Sequence, residues 1–127
     1  CEPGRALVGD AFVEITRVRA IRDGAHVFLN DGIYGALSET PLVGNIGRIR
    51  VVSPQGLART GSKVARTVFG PTCDSIDRLP QSLDLPEDLE EGDFILFDGM
   101  GAYTVATATS FNGFGPRALH TVMSLEG

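Results

Sequence analysis

Sixteen glycines and seven prolines punctuate a sequence whose apolar segments are all short. Long helices cannot run through such punctuation, whereas short strands joined by tight turns accommodate it, so the pattern predicts a mostly β chain. In Ala11 to Ile21, Val13 and Ile15 alternate with polar residues, and Val18 and Ala20 do so on the other parity. The change of step predicts a bulge or bend between Ile15 and Val18. Asp23-Gly24 is a tight-turn dipeptide, so the following run Ala25 to Leu29 should return as the second arm of a hairpin.

Further along, Gly44 to Val52 and Gly61 to Gly70 are rich in β-branched residues and flank Ser53-Pro54-Gln55-Gly56, which predicts a second pair of strands. Ser75 to Leu83 carries Pro80 and no alternation, which fits a turn of helix or an irregular loop. Leu85 to Asp93 reads as an acidic loop, with Glu87 to Glu91 most simply a solvated stretch without function. Phe94 to Phe97 reads as a buried strand. Asp98 to Tyr103 forms a glycine-rich corner, Thr104 to Ser110 is small and β-prone, and Leu119 to Met123 is a last short strand. Seven or so strands with turns between them fit a barrel or a sandwich. There is no internal repeat and no low-complexity tract.

At 127 residues the chain is one domain with room for a core. Its net charge of -5 and pI near 4.9 supply no field for nucleic acid or anionic lipid. Cys1 and Cys73 lack the spacing of a zinc site, and neither a disulfide framework nor a metal centre is expected. No apolar run is long enough to span a membrane, and no secretory signal opens the chain, so an intracellular, cytoplasmic, reducing setting is the expectation. Beginning at Cys1 with Glu2-Pro3-Gly4-Arg5 directly after it, the polypeptide has the look of a piece of something longer.

Several residues could carry chemistry. Cys73 beside Asp74 could be a nucleophile, but only His26 and His120 could serve it as a base, and both fall in expected strands. Its plainer role is that of a buried small hydrophobe. Arg5, after a Pro-Gly turn, has a guanidinium fork that matches phosphate oxygens, and Gly4 would allow close backbone approach; the plainer alternative is a surface salt bridge. Tyr103 could donate its hydroxyl to the same anion or could be a core tyrosine.

Six strings taken in order carry a resemblance: Glu2-Pro3-Gly4-Arg5, Leu29-Asn30-Asp31-Gly32-Ile33-Tyr34-Gly35, Gly70-Pro71-Thr72-Cys73-Asp74-Ser75, the Glu91-Gly92-Asp93 turn, Met100-Gly101-Ala102-Tyr103-Thr104 and Phe111-Asn112-Gly113-Phe114. Together they span nearly the whole chain. The sequence resembles the C-terminal β-domain of the fold-type III, pyridoxal-phosphate-dependent decarboxylases of basic amino acids, the ornithine, lysine and diaminopimelate decarboxylase family. That resemblance implies a mostly β, partly closed barrel-like domain of the kind shared with alanine racemase, over residues 11–127. Residues 1–10 would be a remnant of an upstream cofactor barrel.

The resemblance also implies roles. Glu2 would face the pyridine nitrogen of pyridoxal 5′-phosphate, with Gly4, Arg5 and Tyr103 on its phosphate. Tyr34 would line the substrate site. Cys73 and Asp74 would reach across a homodimer into the partner's site, Asp74 binding the distal ammonium of a diamino acid and Cys73 governing protonation of the α-carbon. Phe111 and Asn112 would lie at the dimer contact beside that pocket. Such an enzyme forms a Schiff base with its substrate, releases carbon dioxide and reprotonates, in the service of polyamine synthesis.

Two departures stand out. Where ornithine decarboxylases carry a second acid in a Tyr-Asp-His string, this sequence reads Ala36-Leu37-Ser38-Glu39-Thr40-Pro41, with Glu39 the available substitute. Cys73-Asp74 favours ornithine or lysine over diaminopimelate, whose decarboxylases carry a glutamate after that cysteine. The sole lysine, Lys63, lies in an expected strand outside any motif of a cofactor-binding lysine, so the 127 residues alone should be inactive. The alternative is a non-catalytic regulatory relative of the antizyme-inhibitor type.

Overall fold

The protein is described from a computed structural model, which covers residues 3–44, 47–115 and 118–122. Among these residues six strands form one sheet: β1 (Glu14–Arg22), β2 (His26–Leu29), β3 (Ile49–Val52), β4 (Lys63–Phe69), β5 (Leu83–Pro86) and β6 (Phe94–Phe97), in the order β3-β6-β1-β2-β4-β5. All neighbours are antiparallel except β2 and β4, which run parallel. The sheet curls into a nearly closed barrel with one unsealed seam, its two edges being β3 and β5. Short helical turns α1 (Gly4–Val8), α2 (Thr40–Val43) and α3 (Thr104–Thr107) lie outside it. No helix among the described residues is long and apolar enough to cross a membrane.

The β1–β2 hairpin forms where Asp23-Gly24 predicts it. Asp23 and Gly24 both take left-handed φ, 53° and 63°, and the Ala25 N–H donates to the Arg22 carbonyl, the turn whose twist matches the two strands. The bulge falls later than expected. Register shifts between Val18 and Ala20, leaving Arg19 as the extra residue, and the inward set is Thr16 and Val18 without a change of step. Ile15 therefore points outward and is 55% exposed. A long strand that changes partners, from β6 to β2, needs its irregularity at the handover, and the handover is at Val18.

Other expectations are corrected. The segments around Ser53-Pro54-Gln55-Gly56 do contain β3 and β4, but these do not pair: β3 lies against β6 and β4 between β2 and β5. Leu85 and Pro86 belong to β5 and are buried, so the acidic loop begins only at Glu87. Thr104 to Thr107 is a helical turn, because the threonine hydroxyls bond back along the chain, Thr104 Oγ1 to the Met100 carbonyl and Thr107 Oγ1 to the Tyr103 carbonyl. No strand forms over 118–122, so His120 sits in none, and Met123 lies outside the described residues. Ser75 to Pro80 is an irregular loop, as one of its two readings had it.

Val27, Leu37, Leu85 and Ile95 are wholly buried at the centre of the barrel, with Val18, Leu29, Val68 and Leu83 around them. Each such side chain contributes about 1.5–3 kcal/mol by leaving water. The seam between β3 and β5 is bridged by loops. Ser62 accepts from the Glu87 N–H, Asp88 accepts from the Gly61 N–H, and Arg59 clasps Asp93 and Glu90. The acidic stretch is thus a working corner of the barrel rather than merely solvated.

Candidate functional site

Parallel pairing of β2 with β4 brings the ends of both strands to the same rim. The loops that leave there, 30–39 and 70–78, carry Tyr34, Cys73 and Asp74. Asp31 folds the first loop back on itself, its carboxylate accepting from the Gly32 and Ala36 N–H groups at 2.9 and 3.1 Å. Asp77, 1% exposed, joins the two loops. One of its oxygens accepts from the Ile33 N–H at 3.2 Å and the other from the N–H and hydroxyl of Thr72 at 3.0 and 2.6 Å. Gly32 and Gly70 pack against that carboxylate with no room for a Cβ.

Held this way, the Tyr34 hydroxyl donates to Asp74 Oδ2 at 2.6 Å, and the Ile76 N–H donates to Oδ1 at 3.0 Å. These two bonds hold the Asp74 carboxyl below its usual range, the phenol contributing most, against a smaller opposing effect of desolvation. The same contact pushes the Tyr34 phenol up to about 12, since ionising it would place a second anion beside Asp74.

A third segment completes the rim. Gly101 approaches the turn after α1 so closely that a Cβ would strike the Val8 carbonyl, and its N–H donates to Gly9. Tyr103 follows in the left-handed region at φ 68°, a costly conformation for a tyrosine, and is 57% exposed. Its ring lies under the Arg5 guanidinium, 5.3 Å from centroid to Cζ. Arg5 Nη2 donates to Glu39 at 2.8 Å. Beyond α3, Thr109 binds the Tyr34 carbonyl through its N–H and its hydroxyl, both at 2.8 Å. Phe111 stacks on the Tyr34 ring at 4.3 Å, and the Asn112 amide donates to Cys73 Sγ at 3.7 Å.

The structure thus brings together two groups on one rim: Tyr34, Asp74, Cys73, Phe111 and Asn112 in the first, Arg5, Tyr103 and Glu39 in the second. A 2.5 Å hydrogen bond between Ser38 and Thr107 ties the segments that carry them. Cys73 is exposed, which overturns its plainer role as a buried hydrophobe, and Tyr103 is no core residue. Gly4 starts α1 with nothing within 4 Å of where a Cβ would stand. Glu2 lies outside the described residues. His26 sits in β2 against Phe69, and Lys63 is exposed at the start of β4. Asp77 and Asp31 were missed by sequence reasoning; the acid three residues after Asp74, behind a Gly-Pro turn, was the available signal.

The chain is similar to known proteins in both sequence and fold. The family described as pyridoxal-dependent decarboxylase, C-terminal sheet domain, matches residues 7–101. An ornithine decarboxylase of Cricetulus griseus is 33% identical over 97% of this chain and 30% of its own length. Antizyme inhibitor 2 of Xenopus laevis is 31% identical over 96% of this chain and 29% of its own. Among solved structures, the lysine/ornithine decarboxylase of Vibrio vulnificus complexed with cadaverine superposes with a TM-score of 0.71 at 33% identity, covering 87% of this chain and 30% of that one. The chain therefore spans about a third of the length of the relatives it matches. By this match of sequence and of fold, the chain belongs to the pyridoxal-dependent decarboxylase family, in the part that forms the C-terminal sheet domain.

Proposed function

We propose that these residues are the C-terminal domain of a larger decarboxylase of basic amino acids, acting on ornithine or lysine in polyamine synthesis, with residues 1–10 continuing from an upstream cofactor barrel. The observation that carries this reading is the joining of Tyr34, Asp74, Cys73 and Phe111, far apart in sequence, on one rim. A half-buried carboxylate beside an exposed thiol suits a substrate with a distal ammonium and a carbon that must be reprotonated.

The residues fit pyridoxal 5′-phosphate. Arg5 Nη1 is buried with no hydrogen-bond partner among the described residues, a donor suited to a phosphate oxygen. Tyr103 offers its hydroxyl alongside, the open space at Gly4 leaves room for an anion's approach, and Glu2 would serve the ring nitrogen. When bound, the cofactor supplies the electron sink that lets the substrate carboxylate leave. Asp74 accepts the distal ammonium and Tyr34 holds Asp74 in place. Phe111 covers the Tyr34 ring and keeps water from that side. Cys73, oriented by Asn112, moves a proton at the substrate α-carbon. Asp74 and Cys73 serve the partner's site in a homodimer, so each site is shared.

A substrate panel of ornithine, lysine, arginine and diaminopimelate on the full-length protein tests this. Ornithine or lysine should lead, and Asp74→Asn should raise KM for the leading substrate by about 10². Equal rates on ornithine and diaminopimelate would remove the role given to Asp74. The likeness to antizyme inhibitor 2 favours a second reading, a non-catalytic regulatory protein. Absence of a cofactor-binding lysine upstream, with no turnover of any substrate, would select it.

A further inference from the structure

The Arg5 guanidinium is held on two sides. Its Nη2 edge is fixed by Glu39 at 2.8 Å, and its face lies over Tyr103. A planar fork restrained at one edge and one face has little freedom left, and the remaining terminal nitrogen, Nη1, has no partner among the described residues. Glu39 itself stands on stiff support. Its carbonyl accepts from the Leu42 and Val43 N–H groups, Pro41 fixes the start of α2, and the neighbouring Ser38 is bonded to Thr107. With its carboxylate mostly buried and committed to Arg5, Glu39 is poorly placed to act as a second acid for a substrate ammonium.

We propose that Glu39 is a positioning residue for Arg5, orienting the guanidinium so that Nη1 meets the phosphate of the cofactor. This rests on the reading of Arg5 as a phosphate ligand. Glu39 and the phosphate would bind different nitrogens of the one fork at the same time. The carboxylate does not touch the phosphate, and its contribution is the order it imposes before binding, which lowers the entropy lost on binding.

The test uses the full-length apoenzyme and two probes, pyridoxal 5′-phosphate and pyridoxal, which lacks the phosphate, with Kd read by equilibrium dialysis. Glu39→Ala should weaken the phosphorylated probe about tenfold and leave pyridoxal unchanged. Glu39→Gln keeps an acceptor oxygen and should lose less, about threefold, and it serves as the reading if the alanine variant fails to fold. Arg5→Ala should lose more than either, and Arg5→Ala with Glu39→Ala should be no worse than Arg5→Ala alone, since Glu39 acts only through Arg5.

Affinity for the phosphorylated probe that is unchanged or tighter in both Glu39 variants, with Arg5→Ala still weakened, overturns the positioning role while sparing the phosphate role of Arg5. So does a raised KM for ornithine or lysine with no change in cofactor affinity, which would make Glu39 a substrate ligand. If Arg5→Ala itself leaves the preference for the phosphorylated probe intact, the phosphate reading fails and this inference falls with it.

Discussion

Two arginines of this chain meet acidic partners in different ways. At the seam Arg59 closes its fork: Nε and Nη2 each reach one oxygen of Asp93 at 2.9 Å, and Nη2 also takes Glu90 at 2.7 Å. Asp93 is fully buried and accepts the Glu90 N–H as well. On the rim, Arg5 spends one nitrogen on Glu39 and leaves another buried and, among the described residues, unpaired. Arg50 and Arg66 also hold an unpaired buried nitrogen, but theirs is Nε with a single proton, whereas Arg5 leaves a terminal nitrogen with two. A fork satisfied within the chain stabilises the fold; a fork half satisfied keeps a donor for an anion, which is the role proposed for Arg5.

The closed kind of polar site also lies under the candidate rim, and breaking it should give the largest effect. Asp77→Ala strips the acceptor from Ile33 and Thr72 and leaves their half-buried N–H groups unsatisfied beside Gly32 and Gly70. A loss of about 3 kcal/mol in urea denaturation is expected. The loops bearing Tyr34 and Asp74 should lose their hydrogen-exchange protection together, because one carboxylate holds both. Loss of protection in only one of them would break the link.

The direct comparison comes next. Arg59→Ala opens the seam corner and leaves Asp93 buried without its cation, so it should lower the thermal midpoint by several degrees. Arg5→Ala removes a partly exposed pair and should shift stability by no more than about 0.5 kcal/mol. Reversal of that order would remove the distinction between the two forks.

Whether such differences are legible in sequence depends on distance along the chain. The hairpin was legible because Asp23-Gly24 specifies its turn locally. The partners of β3 and β4 were not, since nothing in either strand encodes a pairing with β6 or a parallel pairing with β2. The helical turn at Thr104 went unseen because its cause, the left-handed Tyr103 and the back-bonding hydroxyls, overrides the β preference of threonine. Among site residues, the motif strings marked Tyr34, Arg5, Cys73, Asp74 and Tyr103, but Asp77 and the bond from Arg5 to Glu39 join residues that only the folded sheet makes neighbours.

A smaller effect concerns Tyr34, the phenol bonded to Asp74. The Tyr34 pKa is raised in the folded chain, so its contribution to stability is whole below the ordinary value of 10.0 and is lost as pH rises through about 12. Absorbance at the phenolate band in a rapid pH jump should show Tyr34 ionising late. Asp74→Asn should bring it back toward 10, and Tyr34→Phe should remove the late step. A wild-type chain without that step would mean that Asp74 is free of Tyr34 in solution.

The smallest effect concerns Asp98, where Arg50 Nη2 bonds at 2.5 Å and Arg48 Nε lies at 3.4 Å. The Arg50 hydrogen bond does most to hold its carboxyl below the ordinary value of 3.8; desolvation opposes it next, and Arg48 adds a smaller lowering. A depressed folded pKa contributes stability that is present above 3.8 and disappears as pH falls through the lower folded value. Asp74 is depressed as well, by Tyr34, so both residues act on the same acid limb. Asp98→Asn and Asp74→Asn should each flatten the loss of stability below about pH 4, and the double variant should flatten it by the sum, since the two carboxylates share no partner. The exposed position of Arg48 and solvent screening keep the Asp98 share small. A steeper acid limb in Asp98→Asn than in the parent chain would show that Arg50 gains more from water than from Asp98, and would set that arginine apart from both of the forks compared above.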